Sequence, residues 1–176
     1  MSSAYDGAEI QALQSIASTS STVASRTSAS ITDFAAGYYR TAGGKVSIAA
    51  SGTGYFCLTN PAGSGKIVTL QRFTLAADNA SDVAFQFDTV LASPTSLTAF
   101  RPNRDVAGST VATAATSTAA PTTAGTSLSP IYRLGQNIPV IQNFTVVLAE
   151  GQSVAAVLSV GSTATAFYAA ATWTEV

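Results

Sequence analysis

Histidine is absent from this 176-residue chain. Its absence removes the Ser-His-Asp and Cys-His arrangements, in which an imidazole accepts and returns a proton near neutral pH. It also removes the commonest zinc ligand. The single cysteine, Cys57, permits neither an intramolecular disulfide nor a Cys-rich metal cage. Within Tyr55-Phe56-Cys57-Leu58 it reads as a small buried hydrophobe. Charge is scarce too: eight Lys and Arg against nine Asp and Glu make up 10% of the chain, where about 25% is ordinary. Eight scattered basic residues do not form the clustered surface that neutralises phosphates, so no nucleic-acid partner is expected. The closest pair, Arg101 and Arg104, reads as a solvated loop tip. No apolar run approaches the ~18–20 residues of a membrane span, and no membrane partner is expected. Met1-Ser2-Ser3-Ala4-Tyr5-Asp6 carries neither the basic nor the apolar region of a secretory signal, so synthesis in a reducing cytoplasm is expected.

Other chemistries fail on spacing. Gly63-Ser64-Gly65-Lys66 has the last part of a phosphate-binding loop, but the earlier glycine is missing and Ile67 stands where a hydroxyl would hold Mg²⁺. A plain turn fits better. Asp78-Asn79-Ala80-Ser81-Asp82 offers oxygens, yet lacks the ligand density of a calcium loop and reads as an Asx-type turn. Lys45 and Lys66 stand in no Ser-x-x-Lys sequence, and Asp78, Asp82 and Asp88 do not resemble the carboxylate pair of a glycosidase. Asn79-Ala80-Ser81 and Asn143-Phe144-Thr145 match the glycosylation tripeptide by coincidence in a Ser/Thr-rich chain. No catalytic residue, metal or cofactor is expected, and the chain is not expected to be an enzyme.

What the sequence has is strand patterning. Phe144, Val146 and Leu148 alternate with polar or small neighbours, and Ala149-Glu150-Gly151-Gln152 supplies a turn. Val154, Ala156, Leu158 and Val160 alternate again up to Gly161-Ser162, and Phe167, Ala169, Ala171 and Trp173 form a third set. Period two punctuated by glycine predicts an antiparallel meander with one buried face. Earlier, strands are predicted from near Lys45, over Tyr55–Thr59, over Ile67–Ala76 and through Val83, Phe85 and Phe87. The alternation slips between Leu70 and Phe73, which predicts a β-bulge near Gln71-Arg72. Between Ser93 and Pro130 the pattern weakens, and Ser109–Ser129 reads as a long Ala/Thr-rich loop. The expected fold is therefore all-β: an antiparallel sandwich, jelly-roll-like, of roughly eight strands over residues 41–176.

Residues 1–40 read differently, as an extended N-terminal arm. Asp6 and Glu9 resemble a capping pair ahead of Ile10, Leu13 and Ile16, which predicts a short helix near 8–17. A Ser/Thr-rich stretch follows that cannot bury enough apolar surface to fold alone.

Two segments carry a resemblance. Leu148-Ala149-Glu150-Gly151-Gln152-Ser153-Val154 and the strands after it, to Val176, resemble the end of the trimeric jelly rolls of the tumour-necrosis-factor and C1q type, including versions on spore surfaces and in phage structural proteins. Tyr55–Leu75, with Asn60-Pro61-Ala62-Gly63-Ser64-Gly65-Lys66 inside it, is similar to a strand-turn-strand pattern of phage virion proteins. The resemblance implies a non-enzymatic virion protein, made in the host cytoplasm and placed on the capsid surface as a decoration or cement protein. A homotrimer and contact with the major capsid protein or other virion subunits are implied with it. The contact candidates are Tyr5, Ile10, Leu13, Ile16, Phe34, Tyr38 and Tyr39, which lie outside the patterned sandwich. For Phe34, Tyr38 and Tyr39 packing beneath their own sandwich is the preferred reading over contact. The alternative function is a receptor- or carbohydrate-binding fibre or tip module, with Tyr132 and Tyr168 as candidate platforms. An ice-binding face would need a regular Thr array, and the even spacing of Thr110, Thr113 and Thr116 breaks at Thr118.

Overall fold

The computed structural model describes residues 39–101 and 110–176. Among them are ten strands and no helix. Their bounds are β1 Tyr39–Ile48, β2 Thr53–Thr59, β3 Val68–Ala77, β4 Ser81–Phe87, β5 Thr95–Leu97, β6 Thr113–Ser117, β7 Thr126–Leu134, β8 Val140–Leu148, β9 Ser153–Ser159 and β10 Thr165–Glu175. Sheet A has the order β1-β10-β3-β8, and sheet B the order β5-β6-β2-β9-β4-β7. Every ladder is antiparallel. Without β5 and β6, the remaining strands alternate between the sheets in the order of an eight-stranded jelly roll. The β5–β6 hairpin is an insertion that widens sheet B beside β2.

The period-two residues form the core. Phe167, Ala171 and Trp173 of β10, Val154, Ala156 and Leu158 of β9, and Val68, Leu70, Phe73 and Leu75 of β3 are all buried between the sheets. Phe73 of sheet A meets Phe56 of sheet B edge-on at 5.8 Å and stacks on Phe85 at 5.4 Å. Phe85 in turn meets Tyr132 at 5.8 Å. Burying each large apolar side chain contributes about 1.5–3 kcal/mol relative to leaving it in water. Offset and edge-on ring geometry adds specificity to that.

The predicted bulge is present. β3 pairs Leu70 with Trp173 and Arg72 with Thr172 on one side, so Gln71 is the extra residue against β10, and it returns Phe73 and Leu75 to the buried face. Against β8 the register shifts the other way: Leu70 pairs with Val146 and Arg72 with Asn143, which leaves the extra residue on β8.

Two expectations change. The first strand begins at Tyr39 instead of near Lys45. Its inward positions are Arg40, Ala42, Gly44, Val46 and Ile48, so an arginine and a glycine hide the apolar alternation. Glycine is needed at 44, since a Cβ there would lie 2.6 Å from Leu97 Cδ2. The Ala/Thr-rich loop is also more ordered than its composition suggests, because it contains β6 and the start of β7. Ala112 and Ala114 are core residues there, and alanine carries too little hydrophobic contrast to mark a strand. The helix expected near 8–17 lies outside the described residues.

Candidate functional site

Several of the described polar groups are engaged in structure. Cys57 is buried beneath sheet B's outer surface, with Sγ 3.7 Å from the Thr89 carbonyl. Burial pushes its thiol pKa up, against smaller opposing hydrogen bonds from Thr59 and Ser153, so it is not an activated nucleophile. Asp82 forms an exposed ion pair with Arg133 at 2.8 Å. Asn79 donates to the Ala164 carbonyl and to Thr165 Oγ1, tying the acidic turn to the β9–β10 turn. No group of three or more His, Cys, Asp or Glu able to hold a metal occurs among the described residues.

The glycine loop and the β8–β9 turn, on which the family resemblance rests, meet in space. Gly63 and Gly65 adopt left-handed backbone (φ 73° and 65°). Their N–H groups each donate to the Glu150 carboxylate, at 2.9 Å. The anion cradle is real, but it holds the chain's own side chain. Asn60, fully buried, donates from Nδ2 to the carbonyls of Lys66 and Leu148. Its backbone N–H donates to the Gln152 carbonyl, and its carbonyl accepts from Gly151. Asn60 and Glu150 therefore staple two turns at one end of the sandwich.

A second carboxylate, this one buried, pins residues 110–112. Glu175 accepts from Trp173 Nε1 at 2.9 Å, from the N–H groups of Val111 and Ala112 at 3.1 Å, and from Thr110 Oγ1. Arg40 Nε lies 4.0 Å away. Desolvation alone would raise the Glu175 pKa. The hydrogen bonds from Thr110, Trp173, Val111 and Ala112 outweigh it and hold the carboxyl below its ordinary value. Burial, with Arg101 nearby, lowers the Arg40 pKa, while Glu175 acts in the opposite direction.

The outer faces of the two sheets differ. Tyr55, Cys57, Ala155 and Val157 face outward from sheet B yet are buried, with Leu91 packed on them. The segment after β4 lies across this patch: Ser153 and Ser117 hydroxyls donate to the carbonyls of Thr89 and Ala92, and Val90 bridges Thr123. The centre of sheet B, over β2 and β9, is thus covered by its own chain, while Ile131, Asp82 and Arg133 on its β4–β7 side stay exposed.

Sheet A is open. The register places Tyr39, Thr41, Gly43, Lys45 and Ser47 of β1 outward, beside Thr174, Thr172, Ala170, Tyr168 and Ala166 of β10. Thr69, Arg72, Thr74 and Ala76 of β3 and Ile141, Asn143 and Val147 of β8 continue the face. These outward strand positions include no acidic residue. Ile141, Val147 and Tyr168 are 54%, 58% and 41% exposed, and Lys45 Nζ sits 5.5 Å from the Tyr168 ring centre. A shallow groove of about 290 Å³ runs over Gly43, Thr74, Ala76 and Ala170 beside Tyr168.

Of the residues expected to make contacts, Tyr5, Ile10, Leu13, Ile16, Phe34 and Tyr38 lie outside the described residues. Tyr39 opens β1 on the outer face of sheet A, half-buried and opposite Thr174. Of the two candidate platforms, Tyr132 packs half-buried against Phe85, and Tyr168 is exposed. Ile141 and Val147 were not among the sequence candidates. Their signal was present in β8, where apolar residues occupy both phases of the alternation. No protein-family model matches the chain, and no curated protein or solved structure matches it either.

Proposed function

We propose that this protein is a non-enzymatic structural component of a virion, a capsid decoration protein that seats the open face of sheet A on neighbouring subunits. The contrast between the two sheet faces carries the reading. The centre of one face is covered by the chain itself, and the other leaves Ile141, Val147 and Tyr168 in water among small residues, with Lys45 and Arg72 but no acid. An apolar face without acids suits burial against another protein surface. The jelly-roll strand order and the Asn60–Glu150 staple, built from the two segments that resemble virion proteins, support it further. Fold alone does not fix function, so the weight rests on the open face. A symmetric oligomer, a trimer as the resemblance implies, would multiply weak contacts by valency and reinforce a shell without any chemistry.

Tyr168 favours a second reading, a receptor- or carbohydrate-binding tip module. A sugar site needs converging polar groups beside its aromatic platform, and the groove at Tyr168 is lined mainly by Gly43, Ala76 and Ala170. The virion reading is therefore preferred. It is tested by adding the purified chain to capsids stripped of it. The wild type binds, and Tyr168→Glu with Ile141→Glu binds at least tenfold more weakly. Ile131→Glu, at an exposed position of β7, binds as wild type. Equal binding of the first variant and the wild type would remove the open face from the account.

A further inference from the structure

Four strand edges terminate the two sheets, and three are blunted. β5 is only three residues long. β7 contains Pro130, which supplies no N–H, and the charged Arg133. β1 is met at its free edge by Phe100, which exchanges both backbone hydrogen bonds with Thr41 at 2.9 and 2.7 Å. Short length, proline, charge and a covering segment are the devices by which folded proteins keep sheet edges from pairing with other chains.

Among the described residues the fourth edge has none of these four. β8, Val140-Ile141-Gln142-Asn143-Phe144-Thr145-Val146-Val147-Leu148, is nine residues long, uncharged and free of proline. Among the described residues it pairs only with β3, with one register shift between Asn143 and Val146. We infer that β8 is a pairing edge, and that its occupant is β8 of a second copy of this chain, antiparallel about a two-fold axis at Phe144.

Self-complementarity carries the choice of occupant. For the two sheets to continue with their outer faces on the same side, outward residues must pair with outward residues, which leaves few registers. Centring the axis on Phe144 is the register that pairs the strand over its whole length. It sets Ile141 opposite Val147 of the second copy, and Asn143 opposite Thr145 of the second copy. Inward, Val140 meets Leu148 of the second copy. Gln142 meets Val146 as the one mixed pair; elsewhere apolar residues meet apolar ones and polar meet polar, each twice by symmetry. Centring on Asn143 instead would set Ile141 against threonine and Pro139 against Val147, with fewer residues paired. No like charges meet. Arg72, on the neighbouring strand, is separated from its symmetry mate by three strand spacings, roughly 14 Å at about 4.8 Å each, beyond the screening length of about 8 Å. Pairing would give one continuous eight-stranded sheet whose open face is twice as wide. The proposal does not depend on what that face binds.

The test is sedimentation equilibrium on the full chain and two variants. The wild type sediments at twice the 17.8 kDa chain mass, or as a larger even-numbered assembly. Asn143→Lys with Thr145→Lys places like charges opposite each other twice, and the assembly falls to half its size or its dissociation constant rises at least tenfold. Asn143→Lys with Thr145→Glu places opposite charges across the same register and restores the assembly. Both positions are exposed, and the near-ultraviolet circular dichroism of Trp173 reports whether each variant is folded. Hydrogen exchange on the wild type alone gives a second reading: β8 amides facing away from β3 gain protection as concentration rises. A monomeric wild type, or a trimer indifferent to the like-charge variant, overturns the inference. Equal dissociation of the two variants overturns the register, and the pairing with it.

Discussion

Replacing Glu175 with glutamine removes one negative charge from a site 5% exposed to solvent while leaving its shape almost unchanged. The carboxylate accepts from Trp173, Val111, Ala112 and Thr110 and faces Arg40. An amide keeps one acceptor oxygen and turns an NH₂ group toward the Val111 N–H and Arg40, donor against donor. Hydrogen bonds to a charged group contribute about 1.5–3 kcal/mol each, so the substitution should cost about 2–3 kcal/mol near neutral pH. Alanine, which also takes the facing charge away from the buried Arg40, should cost about 3–5 kcal/mol. For a domain of this size 1 kcal/mol moves the melting temperature by about 2–4 °C, so the glutamine variant should melt about 5–10 °C lower. The pH dependence has a definite sign. The folded-state pKa lies below the ordinary glutamate value of 4.5. The stabilisation is therefore complete above 4.5 and disappears as pH falls through the lower, folded-state value. The gap between wild type and Glu175→Gln should shrink over that acid window. Thermal melts followed at Trp173 across pH measure it, and hydrogen exchange at Val111–Ser117 should quicken in the variant. A glutamine variant as stable as wild type near neutral pH, or a gap that persists unchanged well below 4.5, would refute the reasoning.

Phe73→Ala removes the ring shared by Phe56 and Phe85 at the centre of the sandwich; a loss of about 3–5 kcal/mol is expected by denaturant titration. Asn60→Ala leaves the Lys66 and Leu148 carbonyls without their donor at a fully buried site, which should cost about 1–3 kcal/mol. Exchange should then quicken in both turns that Asn60 joins. Cys57, with its pKa raised by burial, should resist thiol reagents in the native protein and react promptly in denaturant; rapid labelling of the folded chain would contradict its placement.

The meander up to Trp173 was legible because glycine-marked turns separate strands that each carry an apolar set of period two, and the Gln71 bulge was legible as a break in phase. β1 was only half legible. Its inward Arg40 is tolerated because Glu175, at the other end of the chain, lies within reach, and no local pattern encodes that pairing. β6 was hidden because Ala112 and Ala114 do in a narrow space what leucine does elsewhere. Periodicity marked the open face only through the apolar residues on both phases of β8. Outward residues of sheets A and B look alike in sequence, and only the path of the segment 88–92 across Cys57 and Val157 decides which face is covered. The same holds for the edges: β8 is terminal only because β5 and β6 widen the other sheet.

The role in a virion is tested most directly by the copy number of this chain in purified particles, measured by quantitative mass spectrometry against the major shell protein. A decoration protein spread over the lattice should be present near the shell protein's own stoichiometry or at a simple fraction of it. Absence from intact particles, with the chain abundant in the same lysate, would contradict the account.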